Sequence, residues 1–245
     1  LVINGVECEP YHTTDHRVMM EQQADIFMGI RYLMKVTGAE RTIIGVEGNK
    51  LDVAGSLREH LPPGEPVDVE VVEVKYPQGA EKMLITSVLG REVPSGGLPI
   101  DVNVVVVNVA TTAEIGRLLP HGKGIQERVV TVTGPAISKK GNYLVPIGTP
   151  LRYLLDEVGV ANNLSEVYMG GPMMGLAQPS LDLPVIKGTS GIMVLDQASS
   201  RIPESEPCIL CGRCVDTCPM SLVPTQLGKY VEHKRFDEAK NNGVM

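Results

Sequence analysis

Three short apolar runs set the limits on what this chain can fold into. "RTIIGVE" (41–47), "VDVEVVEV" (67–74) and "VNVVVVNV" (102–109) read as strands, the second with one wet, acidic face and the third buried on both faces. Between them lie segments of helical period. Val18, Ile26, Phe27, Ile30, Leu33 and Met34 recur at helical spacing over about 14–36, where Gly38 is a stop signal. "NKLDVAGSLREHL" is closed by Pro62 and Pro63, and "PQGAEKMLITSVLG" ends at Gly90. "TTAEIGRLL" has the form of a capping box, with Thr111 as cap and Glu114 three residues on. A strand over 1–3 opens the series. Strand and helix in alternation call for a mostly parallel sheet covered by helices, a Rossmann-like α/β domain over 1–124.

The texture changes after "HGKG". "RVVTVTGPAISKKGNYLVPIG" reads as two strands with turns at Gly134-Pro135 and Lys140-Gly141, and "TPLRYLLDEVG" as a short helix capped by Thr149. "VYMGGPMMG" and "GIMVL" add strands, which makes 125–197 a small α+β unit. "GGPMMG" has neither the spacing nor the helix context of a dinucleotide fingerprint and reads as a tight turn. "DQASSRIPESEP" has linker composition, and 198–245 is a third segment that holds the cysteine run and a polar helical tail.

Four of the five cysteines lie in "CILCGRCVDTCP". Cys208, Cys211 and Cys214 are spaced C-x2-C-x2-C, with Cys218-Pro219 three residues further on, the bacterial ferredoxin run for a [4Fe–4S] cluster. Thiolates two residues apart fit a tight loop around one cubane, and Gly212 allows close approach. Structural zinc, the competing ligand, more often takes separated pairs of ligands. A non-redox zinc scaffold is therefore the alternative of another class. In two-cluster ferredoxins the fourth cysteine serves the other cluster. Either Cys218 closes the set, or a second run belongs to a longer chain, of which the apolar opening "LVINGV" is also a sign. Cys8, in a remote loop, is not expected to be a ligand. The cluster of thiols speaks for a reducing cytoplasm.

In open parallel sheets, ligands bind beyond the carboxyl ends of the strands. Three such loops, "NGVECEPY", "YPQGAEK" and "NVATT", bring Asn4, Glu7, Glu9, Gly79, Glu81, Lys82, Asn108 and Thr111 towards one rim. Amides and helix N-termini can serve flavin carbonyls or phosphates, and carboxylates can accept from ribose hydroxyls. His12 and His16 read as surface residues or caps. A net charge of −7 argues against nucleic-acid partners, and no apolar run approaches the roughly 18 residues of a membrane span.

"NGVECEPYHTTDHRVM", "YPQGAEKMLI", "GREVPSGGLP", "NVATTAEI", "GGPMMG" and "CILCGRCVDTCP" together resemble the C subunit of the Rnf (Rsx) electron-transport complex, related to the NADH-oxidising flavoprotein subunit of respiratory complex I. The resemblance implies a Rossmann-like flavin domain, a β-grasp domain of the soluble-ligand-binding type and a ferredoxin-like segment with two [4Fe–4S] clusters at full length. It implies FMN as cofactor, NADH as substrate, other Rnf-type membrane and iron–sulfur subunits as partners, and ferredoxin as an indirect one. It also implies a peripheral place on the cytoplasmic side of the bacterial inner membrane. Asn4 matches an Asn at the flavin, and Glu7 and Glu9 match acidic residues beside flavin and nicotinamide. Gly79 and Glu81 match the glycine and second carboxylate of a "GEE" loop, with Ala80 in place of the first carboxylate. Asn108 matches an Asn near the flavin phosphate, and Val6 stands where the relative has Asp. No side chain is required as a general acid or base. An Rnf-like cobalamin reductase of a bacterial microcompartment would share these parts.

Overall fold

A computed structural model describes residues 1–204 and 206–243. Ser205, inside the segment read as a linker, and Val244 and Met245, at the end of the third segment, lie outside the described residues. The chain divides into two units, Leu1–Arg201 and Ile202–Met245.

The first unit holds two sheets. One is built from β1 (Val2–Gly5), β2 (Thr42–Glu47), β3 (Val67–Val72) and β4 (Val106–Asn108), all parallel in the order β3-β2-β1-β4. The helices are α1 (Thr14–Glu21), α2 (Gln23–Thr37), α3 (Leu51–Glu59), α4 (Glu81–Leu89) and α5 (Val109–Leu118). Alternate side chains of β1 serve opposite faces, as the period of two demands. Ile3 joins Ile30, Val53, Leu57 and Ala113 in one core, and Val2 joins Leu84, Ile85 and Val104 in another. With two phenylalanines and no tryptophan in the chain, these layers are filled by Val, Ile, Leu and Met.

Three expectations need correction. The helix over 14–36 is two helices, because Gln22 departs from helical geometry at φ −123°, ψ 35°. The run 102–109 is not a long strand buried on both faces. Pro99–Val102 is a 3-10 turn closed by Asn103 at φ 56°, and the short β4 pairs only with β1, so its residues are half-buried. Thr111 is not a helix cap. The helix starts two residues earlier at Val109, and the Asn108 side chain accepts the Thr111 N–H at 3.1 Å. Glu114 pairs instead with Arg117 at 2.8 Å.

The second sheet contains β5 (Glu127–Thr133), β6 (Gly141–Pro146), β7 (Leu164–Met169), β8 (Leu176–Ala177) and β9 (Gly191–Asp196), in the order β6-β5-β9-β7-β8. Its β5–β9 pair is parallel and the rest antiparallel. Helix α6 (Leu151–Val158) lays Leu151, Leu154, Leu155 and Val158 against Val130, Val132, Ile192 and Val194. A mixed sheet gripping one helix completes the α/β plus β-grasp architecture expected from the sequence. The second unit is helical, with α7 (Arg213–Thr217), α8 (Pro224–Glu232) and α9 (Phe236–Asn241).

The closest packing in the first unit is between α2 and α5. A Cβ on Gly29 would sit 2.0 Å from Thr112 O, and one on Gly116 would sit 1.9 Å from Asp25 O. Both obstacles are main chain and cannot swing aside. Gly116→Ala is therefore expected to cost about 1–3 kcal/mol in chemical denaturation, despite alanine's better helix propensity. Gly55, in α3, has open space around its Cβ position, so Gly55→Ala is expected to stabilise by about 0.5–1 kcal/mol.

Candidate functional site

The sheet order creates the site. From β1 the chain moves through β2 to β3 on one side, then returns past β1 to β4 on the other. The crevice beyond the carboxyl ends of β1 and β4 is thus a topological switch point, the usual ligand position in open α/β sheets. Asn4 and Asn108 are register partners there, at the last rungs of the β1–β4 ladder.

Hydrogen bonds tie the surrounding loops to this pair. Asn4 Nδ2 donates to Gly79 O at 2.9 Å, and Asn4 Oδ1 accepts the Val6 N–H at 3.1 Å. The Gly79 N–H donates to Cys8 Sγ at 3.3 Å. A Cβ on Gly79 would meet Val6 O at 2.4 Å, so only glycine lets these two loops touch. Asn108 Nδ2 donates to Asp15 Oδ2 at 2.8 Å, which joins the end of β4 to the first turn of α1. The three loops singled out in the sequence do converge.

The carboxylates are less free than their spacing implied. Glu7 caps α1 from outside, accepting the Asp15 N–H at 2.9 Å and the His16 N–H at 3.3 Å. Lys50 Nζ, nearly buried, lies 3.1 Å from Glu7 and 3.3 Å from Glu47 Oε2. Glu9 turns towards the second sheet and accepts the N–H groups of Met173 and Met174 at 2.7 and 3.0 Å. Glu81 is exposed and Lys82 half-buried in the first turn of α4, and neither side chain makes a hydrogen bond or ion pair among the described residues. Thr111 is half-buried within α5.

Four neighbours of these residues were not anticipated. Asp15, Glu47 and Lys50 sit in helix starts or strand ends that look ordinary in sequence. His12, expected at the surface or as a cap, is wedged against the second sheet with Nε2 buried and unpartnered. Burial, reinforced by the Glu7 charge, pushes the Asp15 carboxyl up to about 7, against the pull of the Asn108 amide and the Lys50 and Arg128 charges. Burial also pushes the Cys8 thiol up, more than the Gly79 N–H lowers it, so Cys8 remains a neutral thiol at pH 7.

A cleft of about 370 Å³ opens at this rim, lined among others by Glu7, Glu9, Tyr11, Glu47, Lys50 and Tyr76. The residues around it fit a nucleotide-type group. Glu47 Oε2 is buried and takes no hydrogen bond, Lys50 lying close but out of alignment. His12 Nε2 is a second orphan at this cleft; α4, whose first turn is not part of the lining, begins without a side-chain cap, so its first N–H groups are open.

In the second unit Cys208, Cys211 and Cys214 are exposed and Cys218 is half-buried, all as free thiols. Leu210 (φ 56°) and Gly212 (φ 76°) turn the loop in the left-handed region, and the Leu210 N–H donates to Cys208 Sγ at 3.4 Å. The donors are right in kind and number for an iron–sulfur cluster. The sulfurs do not converge in this structure: no three His, Cys, Asp or Glu side chains gather into a metal-holding group among the described residues.

A parallel sheet with polar loops at its switch point is thus joined to a helix-gripping mixed sheet in one α/β unit. Residues 1–117 match the family model of the Nuo51 FMN-binding domain, and residues 129–177 match the SLBB domain. The NAD+-reducing [NiFe]-hydrogenase, in its H2-reduced crystal structure, superposes with a TM-score of 0.67 over 80% of this chain and 40% of that one. Sequence identity there is 21%, so this likeness is one of fold. The C subunit of the Na(+)-translocating ferredoxin:NAD(+) oxidoreductase complex of Acetobacterium woodii is 42% identical, over 100% of this chain and 56% of its own. That of the proton-translocating ferredoxin:NAD(+) oxidoreductase complex of Clostridium ljungdahlii is 41% identical, over 98% and 52%. That of the ion-translocating oxidoreductase complex of Salmonella gallinarum is 39% identical, over 98% and 36%. The chain belongs to this family of Rnf-type C subunits. It spans about half the length of the first two relatives and about a third of the last. Among the described residues no helix is long and apolar enough to cross a membrane.

Two outcomes follow. Lys50→Ala leaves Glu7 and Glu47 as uncompensated buried charges, and is expected to cost about 3–5 kcal/mol in urea unfolding. For Asp15, the folded state keeps a proton that the unfolded chain releases between pH 3.8 and about 7. Its contribution to stability therefore falls as pH rises through that window and is level above it. Asp15→Asn, which keeps an acceptor for Asn108, is expected to lose that fall, so the urea midpoint of the variant rises relative to that of the wild type from pH 5 to pH 8.

Proposed function

We propose that this chain is part of an NADH-oxidising electron-transfer subunit of an Rnf-type complex, with FMN at the β1–β4 crevice and [4Fe–4S] chemistry at the cysteine run. The observation that carries the reading is the pairing of Asn4 with Asn108 at the switch point, in a chain related over its whole length to Rnf-type C subunits. Residues 1–124 are the flavin domain, 125–197 the β-grasp domain and 198–245 the cluster segment.

FMN, when bound, supplies the conversion of a two-electron hydride into single electrons. The protein supplies position and charge. Asn4 and Asn108 present amides whose orientation is already fixed by Gly79, Val6, Asp15 and Thr111. Gly79 keeps the 75–80 loop against the β1–α1 loop, and the open first turn of α4 with Lys82 offers N–H groups and a cation to a phosphate. The exposed carboxylate of Glu81 gives the rim a negative charge that disfavours the extra phosphate of NADPH, so NADH is the preferred donor. Cys208, Cys211 and Cys214 would hold one cluster, with Cys218 as fourth ligand or as a ligand of the other cluster. The partners are the other Rnf-type membrane and iron–sulfur subunits and, through them, ferredoxin. The site of action is the cytoplasmic face of the bacterial inner membrane.

The test is anaerobic reconstitution of the protein at its full natural length with FMN, iron and sulfide. NADH, and not NADPH, is expected to bleach the flavin and cluster absorbance, and dithionite to produce a paramagnetic signal. Asn4→Ala and Asn108→Ala are each expected to weaken FMN binding about three- to tenfold, and Cys211→Ser to lower the iron content. A colourless protein that takes up zinc and retains no flavin would refute the assignment.

A further inference from the structure

The "GGPMMG" turn has no place in the chemistry above, and both it and the unpartnered His12 lie where the β1–α1 segment meets the second sheet. We propose that the second sheet is a clamp on residues 9–14, with Glu9 as its latch. Glu9 is on this view a positioning residue whose carboxylate is spent on main-chain N–H groups rather than on a dinucleotide. The clamp rests on contacts alone; its effect on cofactor binding rests on the flavin reading.

The turn is built to receive a carboxylate. Glu9 Oε1 accepts both the Met173 and the Met174 N–H, a two-donor concavity of the kind that binds anions. A Cβ on Gly171 would lie 2.2 Å from Glu9 Cγ and 2.5 Å from Oε1, so any side chain there would occupy the seat of the latch. Gly170, at φ 111°, and Gly175 approach each other so closely that a Cβ on Gly170 would meet Gly175 Cα at 2.8 Å. The Gly175 N–H closes the turn onto Gly171 O at 2.9 Å. All three glycines are thus explained by one function.

The next residues are seated on the same sheet. A Cβ on Gly191 would fall 2.1 Å from His12 Nε2, so the imidazole occupies the space that a side chain on β9 would take. The Gly170 N–H donates to Gly191 O at 2.7 Å, which ties the latch turn to the His12 seat. The Thr13 N–H donates to Thr131 Oγ1 at 3.1 Å, and Thr14 Oγ1 shares a 2.8 Å bond with the same hydroxyl. Thr14 Oγ1 also donates to Ser190 O at 2.9 Å. Asn142 Nδ2 donates to Thr13 Oγ1 at 2.9 Å.

Four residues in six, Glu9, His12, Thr13 and Thr14, are therefore held by the second sheet, up to the first residue of α1. The start of α1 carries Asp15, and Asp15 holds the Asn108 amide. A continuous set of contacts runs from the second sheet through residues 9–14 to the switch point. Opening the latch is expected to loosen the β1–α1 loop and weaken whatever Asn4 and Asn108 hold.

Hydrogen exchange on the protein at full length tests the clamp directly. Met173 and Met174 are 54% and 74% exposed, so protection of their amides requires a partner such as Glu9. Both amides are expected to be protected in the wild type. Glu9→Ala and Gly171→Ala are expected to speed their exchange roughly tenfold or more, with Ile192–Val194 unchanged. Glu9→Gln keeps the acceptor oxygen and is expected to keep the protection. Thr131→Val provides a second opening that leaves the latch turn intact, and is expected to speed exchange at Thr13 alone. Unprotected wild-type amides, or protection that survives Glu9→Ala, would overturn the clamp. The consequence is read as FMN affinity, expected to fall about three- to tenfold in Gly171→Ala. Faster exchange with unchanged FMN affinity would overturn the positioning role. If the wild type holds no FMN, the flavin reading fails, while the exchange data still decide the clamp.

Discussion

Strand β1 runs between β2 and β4, and its carboxyl end is the one place in the first unit where every loop of interest can be reached. Asn4 stands at that end with both halves of its amide engaged, one by the 75–80 loop and one by its own. Neither bond is strong alone; a neutral hydrogen bond is worth about 1 kcal/mol net. Their importance is geometric. Together with the Asn108–Asp15 bond, they convert three flexible connections into one surface whose donors and acceptors are oriented before any ligand arrives, and preorganisation is what a cofactor site needs most.

Charge at this surface is arranged with the same economy. Glu7, Glu47 and Asp15 are three carboxylates in a confined space with one nearly buried lysine among them. Such a group is tolerable only if something gives. Lys50 compensates two of the carboxylates, α1 lends Glu7 two N–H groups, and Asp15 holds its proton to about pH 7. One lysine faces two carboxylates, and the two α1 N–H groups and the protonated Asp15 keep the remaining excess of negative charge small. The carboxylates still free to act on a ligand's charge are those at the edge, Glu81 above all.

The alternation of strand and helix was legible because each element carries its own period, and so was the tight turn at "GGPMMG". The order of strands was not, since periodicity says nothing of which strand lies beside which. Asn4 and Asn108 were found as loop residues, but their adjacency is a property of the β1–β4 ladder. Thr–x–x–Glu is a good local signal for a cap at Thr111, and the strand-end Asn108 overrides it. The partner of Glu9 lies 164 residues away, so no local pattern could mark it. The seat of His12 was hidden for the same reason, being a glycine on β9. The cysteine run was the clearest motif in the sequence, because ligand spacing is a one-dimensional property, whereas convergence of the sulfurs is not.

The two sheets of the first unit thus divide their labour by what each can hold rigid. A loop that carries ligand-binding amides cannot bury an apolar face of its own, and loops without one are the first parts of a protein to open. Residues 6–13 would be such a loop if β1 and α1 were their only supports. The second sheet has a core of its own, with α6 packed on Val130, Val132, Ile192 and Val194. It can therefore present fixed hydroxyls, amides and a glycine gap to a segment that lacks these. Rigidity is borrowed across the contact, and the loss of a single methyl-sized gap at Gly171 or Gly191 would end the loan. That such small spaces matter follows from close packing: a new Cβ at either position would lie 2.1–2.8 Å from the seated side chain of Glu9 or His12, which would have to leave its place.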